Sequence, residues 1–253
     1  MVETKTVGSR VFKVVNYIIL TILAISCLYP LWYELCVSLS DKLAADSGAV
    51  TLWPIGINFA SYELIMGDGT FWNSFMISVG RVVLGTIWTM AVIIMMAYPL
   101  SKTSHEYKPR TILMWVLVFC MLFNGGTIPW YITMQKYNLI DNFAALIFAG
   151  SVPVFNVLLL MNFFRNLPAD IEEAALVDGA GPWRILWTIV VPCSVPVIAT
   201  VVLFTSVGYW NEYFQGLVLM NTEDKYPLQT YIRQITVQIP AGVTLATEQY
   251  QQL

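Results

Sequence analysis

Charge is what this chain has least of. Of its 253 residues only 11% are Asp, Glu, Lys or Arg, while 57% are hydrophobic. Five runs carry no charged side chain at all: 14–33, 82–101, 111–135, 142–164 and 185–211. Each matches or exceeds the ~20 apolar residues that cross a bilayer as a helix. A soluble domain is therefore excluded, and an all-α, polytopic transmembrane helical bundle is expected. An ion-driven carrier needs carboxylates inside the membrane, and these runs contain none.

Chemical groupings are equally sparse. The chain has one histidine, His105, in a basic stretch with Lys108 and Arg110. Its four cysteines, Cys27, Cys36, Cys120 and Cys193, lie in or at the ends of apolar runs without metal-ligand spacing, and they read as small buried apolar residues. No Ser/His/Asp or Cys/His set has a catalytic context, so a membrane enzyme is disfavoured. A Gly-x-x-x-x-Gly-Lys-(Ser/Thr) loop is absent, so ATP is not bound in the P-loop manner. The first apolar run is long and lacks a small-residue cleavage pattern, which makes it an anchor. With no repeat, low-complexity stretch or second-domain signal, 1–253 reads as a single transmembrane domain.

The few charges are distributed with a pattern. Lys5, Arg10 and Lys13 precede the first run, and Asp41, Asp46, Glu63 and Asp68 follow it with only Lys42. Then come Lys102, His105, Lys108 and Arg110, a loop at 124–141 whose one base is Lys136, and finally Arg165 and Arg184. Basic loops stay inside, which places the N-terminus, 102–110 and 165–184 in the cytoplasm. Five spans are expected at about 12–35, 73–100, 111–133, 143–164 and 190–214. The tail 215–253 then lies outside.

Segment 167–192 stands out between two apolar runs. Pro168 suits a first helical turn, and Asp170, Glu172 and Glu173 follow where the helix dipole favours anions. Ile171, Ala174 and Ala175 make a narrow stripe at i, i+3 and i+4. Gly179 can end the helix in the left-handed conformation, and Pro182 can open another. Such a helix–turn–helix beside a membrane suits docking in a partner's groove; the plain alternative is a capped cytoplasmic connector. The spacing Glu173-Ala174-Ala175, then Gly179, then Ile189, Val191 and Pro192 resembles the EAA loop of the membrane subunits of bacterial ABC importers. The resemblance implies a coupling loop at 165–192 whose Glu173, Ala174 and Ala175 face an ATPase subunit. Asp178, Gly179 and Ala180 form its turn, with Glu172 and Pro192 also belonging to the loop.

Further stretches resemble the carbohydrate-uptake (maltose-type) permeases of that superfamily, in the oligosaccharide and polysaccharide-fragment branch. They are Phe123-Asn124-Gly125-Gly126-Thr127-Ile128-Pro129, Asn138-Leu139-Ile140-Asp141-Asn142, Trp210-Asn211-Glu212-Tyr213-Phe214 and Tyr226-Pro227-Leu228-Gln229. The resemblance implies a type I ABC importer permease fold that moves a sugar or oligosaccharide by alternating access in the bacterial cytoplasmic (inner) membrane. It implies a second, homologous permease subunit in a heterodimer, two ATPase subunits that carry the ATP and Mg, and an extracytoplasmic solute-binding protein. Membrane lipid is the remaining partner; the chain itself is non-catalytic, with no cofactor, metal or nucleic acid of its own. The family normally has six spans, so with five visible the chain is expected to be truncated before the sixth. A non-sugar cargo (peptide, amino acid or phosphate) stays open at this point.

Sugars are recognised by aromatic faces and neutral hydrogen-bonding groups. Trp130, Tyr131, Tyr209, Trp210, Asn211, Glu212 and Tyr213 are therefore candidates for the substrate path, against a reading as interface anchors and packing. Arg81 lies inside an apolar run and must face a cavity or a partner. It contacts an acidic sugar such as a uronate, forms a structural ion pair with Glu34 or Glu212, or snorkels to the outer interface.

Overall fold

Inside a bilayer every backbone N–H and C=O needs an internal partner, so charge-free runs fold as helices. A computed structural model describes residues 7–150 and 152–238, and there is no strand among them. The chain divides into two compact units, Met1–Asp68 and Gly69–Leu253.

The first unit is led by helix α1, Val7–Ser38. It is apolar around its circumference, and its most apolar stretch buries nothing. That surface is one a membrane helix shows to lipid or to another helix. At its end the chain folds back on itself: Ser40 Oγ donates to the Cys36 carbonyl (2.6 Å) and accepts from Ile55 N–H (3.0 Å). Trp32 Nε1 donates to the Leu52 carbonyl at 2.8 Å. Cys36 and Val50 are buried there. Two short helices, α2 (Lys42–Asp46) and α3 (Ala60–Gly67), complete this unit.

The second unit is built on α4, Gly69–Ser101, whose 33 residues extend ~50 Å at 1.5 Å per residue. Its buried residues Ser74, Ser78, Arg81, Gly85, Thr89, Ile93, Ala97 and Leu100 recur at helical spacing. This stripe is small or polar in its first half and apolar in its second. Around it lie α5 (Arg110–Leu122), α6 (Thr127–Lys136), α7 (Phe143–Phe148), α8 (Val154–Arg165), α9 (Ala169–Val177) and α10 (Pro182–Ile185). They are followed by a π-turn at Leu186–Val190, α11 (Val191–Cys193), α12 (Val195–Asn211), α13 (Phe214–Leu219) and α14 (Leu228–Gln238). The apolar half of α4 packs with Val157, Leu160, Met161 and Phe164 of α8 and with Val201 of α12. A separate cluster around Ala145, Leu146, Ala149, Leu219, Met220 and Tyr226 is covered by Trp130 and Tyr131.

Several expected spans are broken. Only α1 and α4 are long and apolar enough to cross a membrane unaided among the described residues. The run expected to cross at 111–133 is α5 and α6, bent by 115°. Between them Gly126 adopts a φ of +84°, a conformation that β-branched and bulky residues resist. The run at 143–164 is interrupted before Pro153, which stands at the N-cap of α8. In the last run the segment Pro182–Cys193 meets α12 at 84°; Pro192 and Pro196 lie on either side of the break, where the missing N–H groups cost least. The tail expected outside is no loose loop over its described part. Tyr226, Pro227, Leu228 and Thr230 are buried, and the Leu228 N–H donates to Ser78 Oγ at 2.7 Å. The remainder of that tail, 239–253, and Lys5 of the expected N-terminal bases lie outside the described residues.

Candidate functional site

Two places in the second unit answer to the sequence-predicted residues, one at each half of α4. At the Ser101 end sits α9. Pro168 precedes it, Asp170 and Glu172 occupy its first turn, and Asp178 is its C-cap. Gly179 has a φ of +75°. Its N–H donates to the Leu176 carbonyl (3.0 Å), and the Ala180 N–H donates to the Ala175 carbonyl (2.9 Å). These paired bonds are the Schellman arrangement, and they need a residue at ease in the left-handed region. Pro182 then starts α10 one residue after Gly181. The elbow is thus locally encoded, cap by cap.

The two faces of α9 differ. Ala175 is 8% exposed and belongs to the core beside Ala97, Leu100 and Phe164. It therefore faces the bundle, and of the three side chains expected to dock only Glu173 and Ala174 are exposed. Glu172, one turn before Ala175, pairs with Lys102 just past the end of α4. The Lys102 ammonium also lies 4.6 Å from the Tyr98 ring centroid. The open face adds Leu176, Val177 (88% exposed) and Trp183, an apolar tip that the Glu-Ala-Ala spacing did not single out. Asp178 and Gly179 are exposed at the turn, and Pro192 lies in the kinked stretch before α12.

Towards the Gly69 end, an open pocket of about 280 Å³ is lined by Arg81 and Thr89 of α4, Asn156 of α8, Thr205 and Tyr209 of α12, and Gln215 of α13, among others. Arg81 is 1% exposed. Its Nε donates to the Leu146 carbonyl (3.1 Å), Nη1 to the Glu212 carbonyl (2.7 Å) and Nη2 to Gln215 Oε1 (2.6 Å). All three acceptors are neutral. The expected ion pair is replaced by backbone capture, because the Glu212 carboxylate is already engaged: its Oε1 accepts from Phe214 N–H and Gln215 N–H at 2.6 and 3.1 Å. Those bonds cap the N-terminus of α13.

Tyr209 fills the notch left by Gly85; a Cβ there would stand 2.6 Å from the ring. Its hydroxyl donates to the Ile147 carbonyl at 3.0 Å and lies 2.9 Å from Thr89 Oγ1. Thr86 bonds Ser206 (3.2 Å), and Asn156 Nδ2 donates to Thr205 Oγ1 (3.3 Å). Small residues that admit close helix approach, sewn by hydroxyls, are how helices associate in lipid, where hydrophobic sorting is absent.

Arg81, Tyr209 and Glu212 thus come together at one pocket, and the other path candidates do not join them. Trp130 donates its Nε1 to the Ala149 carbonyl (2.9 Å) and stacks on Phe214. Tyr131 packs in the Leu146–Leu219 cluster. Trp210 meets Phe75 edge-on at 6.1 Å, and Asn211 is the exposed last residue of α12. Tyr213 lies beneath the Arg233 guanidinium, 4.6 Å from ring centroid to carbon, in a separate pocket of about 240 Å³. Thr89, Asn156, Thr205 and Gln215 were missed; for the first three the signal was the polar stripe of α4 and single polar residues inside charge-free runs.

Beside this region, Asp141 (φ +57°) ties two loops together. It accepts from Lys225 Nζ (2.5 Å), Asn221 N–H (3.1 Å) and Thr222 Oγ1 (3.4 Å). The hydrogen bonds from Lys225 and Asn221 hold its carboxyl below the usual aspartate range.

A family model described as "Binding-protein-dependent transport system inner membrane component" matches residues 6–247. Protein LplC of Bacillus subtilis (strain 168) is 34% identical over 232 residues, covering 92% of this chain and 78% of that protein. The polygalacturonan/rhamnogalacturonan transport system permease protein YtcP of the same strain is 34% identical over 229 residues, covering 90% of this chain and 79% of that one. A solved bacterial ABC transporter involved in the import of the acidic polysaccharide alginate matches with a TM-score of 0.88 at 32% identity, covering 100% of this chain and 88% of that chain.

Proposed function

The chain belongs to the family of binding-protein-dependent transport system inner membrane components, and from that premise we propose that it is a permease subunit through which an ATP-driven importer carries a sugar oligosaccharide. The observation that carries this reading is the elbow at α9. A capped helix presents Glu173, Ala174, Leu176 and Val177 away from the bundle, and its turn is fixed by Gly179. That shape is a helix offered to a groove, and the groove belongs to a separate ATPase subunit that holds the ATP and Mg.

The rest of the assembly follows from what this chain lacks. It has no phosphate-binding loop, so two ATPase subunits supply the hydrolysis. The Arg81–Tyr209 pocket is open, and a second, homologous permease closes it into a path. The Ser101 end of α4 is cytoplasmic, as is the N-terminus, and the solute-binding protein docks at the other end. ATP binding brings the ATPase subunits together, and α9 passes that closure to the bundle as alternating access. A sugar cargo rests on the relatives: YtcP is a polygalacturonan/rhamnogalacturonan permease, and the matched solved transporter imports alginate. The polar pocket agrees with it, offering hydroxyls and amides from Thr89, Asn156, Thr205 and Gln215.

The test is co-purification with the partner permease and the ATPase in detergent, for wild type and for Gly179→Val. A β-branched residue at a φ of +75° costs at least ~1–2 kcal/mol and opens the turn. The ATPase is expected to follow wild type and to be lost from the variant. Equal recovery with both removes α9 as the dock.

A further inference from the structure

α9 has only a slight hold on the unit that it is meant to move. Ala175 is its single buried residue. Its one described ion pair runs from Glu172 to Lys102, and the two side chains are 23% and 21% exposed. Glu172 and Ala175 stand one turn apart on the inward face, whereas Glu173 and Ala174 stand on the open face. The two neighbouring glutamates therefore have different surroundings, one turned to the bundle and one to solvent.

Lys102 is well placed to receive a pull. It follows directly on Ser101, the last residue of α4. Its ammonium is also held against the Tyr98 ring, an attraction that strengthens as water is excluded. The end of α4 is fastened as well, since Arg110 Nε donates to the Leu100 carbonyl at 2.9 Å. From there α4 continues unbroken to Thr89 and Arg81, both of which line the pocket. Pro99 stands in the last turn of α4 and removes one backbone hydrogen bond there; the turns from Met95 to Arg81 hold no further proline.

We propose that the Glu172–Lys102 pair is the strut that ties α9 to α4, so that displacement of α9 reaches the pocket through α4. Glu172 and Lys102 are positioning residues that touch neither cargo nor ATP. Covalent routes from α9 to the pocket run back through the short turn at 166–168 into α8 and forward through the π-turn and the 84° break before α12, a hinge where displacement can be absorbed by bending. The ion pair bypasses that hinge. The proposal rests on the reading of α9 as the ATPase dock.

The experiment uses the whole importer in proteoliposomes with its binding protein and a labelled oligosaccharide. ATPase recovery, ATP hydrolysis and transport are measured for wild type, Lys102→Met, Glu172→Gln and the exchanged pair Lys102→Glu/Glu172→Lys. Each single variant is expected to retain the ATPase and to hydrolyse ATP, while the oligosaccharide moved per ATP falls about threefold or more. The exchanged pair is expected to regain most of that ratio. Single variants with the wild-type ratio overturn the strut. So does loss of the ATPase from both single variants and the exchanged pair, which would place Glu172 in the dock itself. Failure of the docking reading shows elsewhere, as equal ATPase recovery with and without Gly179→Val.

Discussion

Arg81→Met separates a structural guanidinium from one that serves the cargo. The substitution keeps an unbranched apolar stem and strands three acceptors, the carbonyls of Leu146 and Glu212 and the Gln215 side-chain oxygen. Arg81 is 1% exposed, and of its acceptors only those at the open pocket are within reach of water. A hydrogen bond to a charged group is worth roughly 1.5–3 kcal/mol net. The three bonds share one guanidinium and are not additive, and since the stranded acceptors are neutral the loss is about 2–4 kcal/mol. At roughly 2–4 °C per kcal/mol for a chain of this size, the apparent melting midpoint of the detergent-purified permease pair falls on the order of 10 °C. Arg81→Lys keeps the charge but not the fork that reaches three separate acceptors, so it lies between wild type and Arg81→Met. Transport of an acidic and of a neutral oligosaccharide, normalised to folded protein, falls by equal factors. An unchanged midpoint, with loss confined to the acidic oligosaccharide, refutes the reasoning and makes Arg81 a cargo contact.

Gly85→Ala puts a methyl group against the Tyr209 ring, which cannot slide away while Ile147 and Thr89 hold its hydroxyl. The variant loses about 1–3 kcal/mol, and Tyr209→Phe in the same chain recovers part of it; strictly additive midpoints in the double variant would disprove the clamp. Asp141 gives a pH dependence. Its folded pKa lies below its unfolded value of ~3.9, so its contribution is complete above that value and disappears as pH falls through the lower, folded one. Pepsin cleavage within 219–226 should accelerate over that acid window in wild type but not in Asp141→Asn, and parallel profiles would exclude the Asp141 tie. Val177→Glu, at an 88% exposed site, should leave the melting midpoint within about 0.5 kcal/mol of wild type while weakening ATPase recovery; undiminished recovery takes Val177 out of the dock.

The elbow was largely legible because its determinants are local. Pro168, the first-turn acids, Gly179 and Pro182 act within a few residues of themselves, and the structure has the glycine at positive φ and the proline opening the next helix. The facing of α9 was not legible. Ala174 and Ala175 are chemically identical, and only the position of Ala97, Leu100 and Phe164 makes one of them core and the other surface. Which of the path candidates share a pocket was not legible for a related reason. Tyr209 and Glu212 reach the pocket with Arg81, but Trp130 and Trp210 are turned aside by Ala149 and Phe75.

Taken alone, the sequence determined which segments leave water, that they are helices, and where the α9 elbow turns, because hydropathy, charge and the conformational limits of glycine and proline belong to each residue whatever surrounds it. Tertiary structure decided how the rare polar groups in the membrane are matched. Arg81 finds its acceptors 65, 131 and 134 residues along the chain, and one of them, the Glu212 carbonyl, is available because α12 ends there. Partners that distant are chosen by packing geometry, which no local property of the sequence contains.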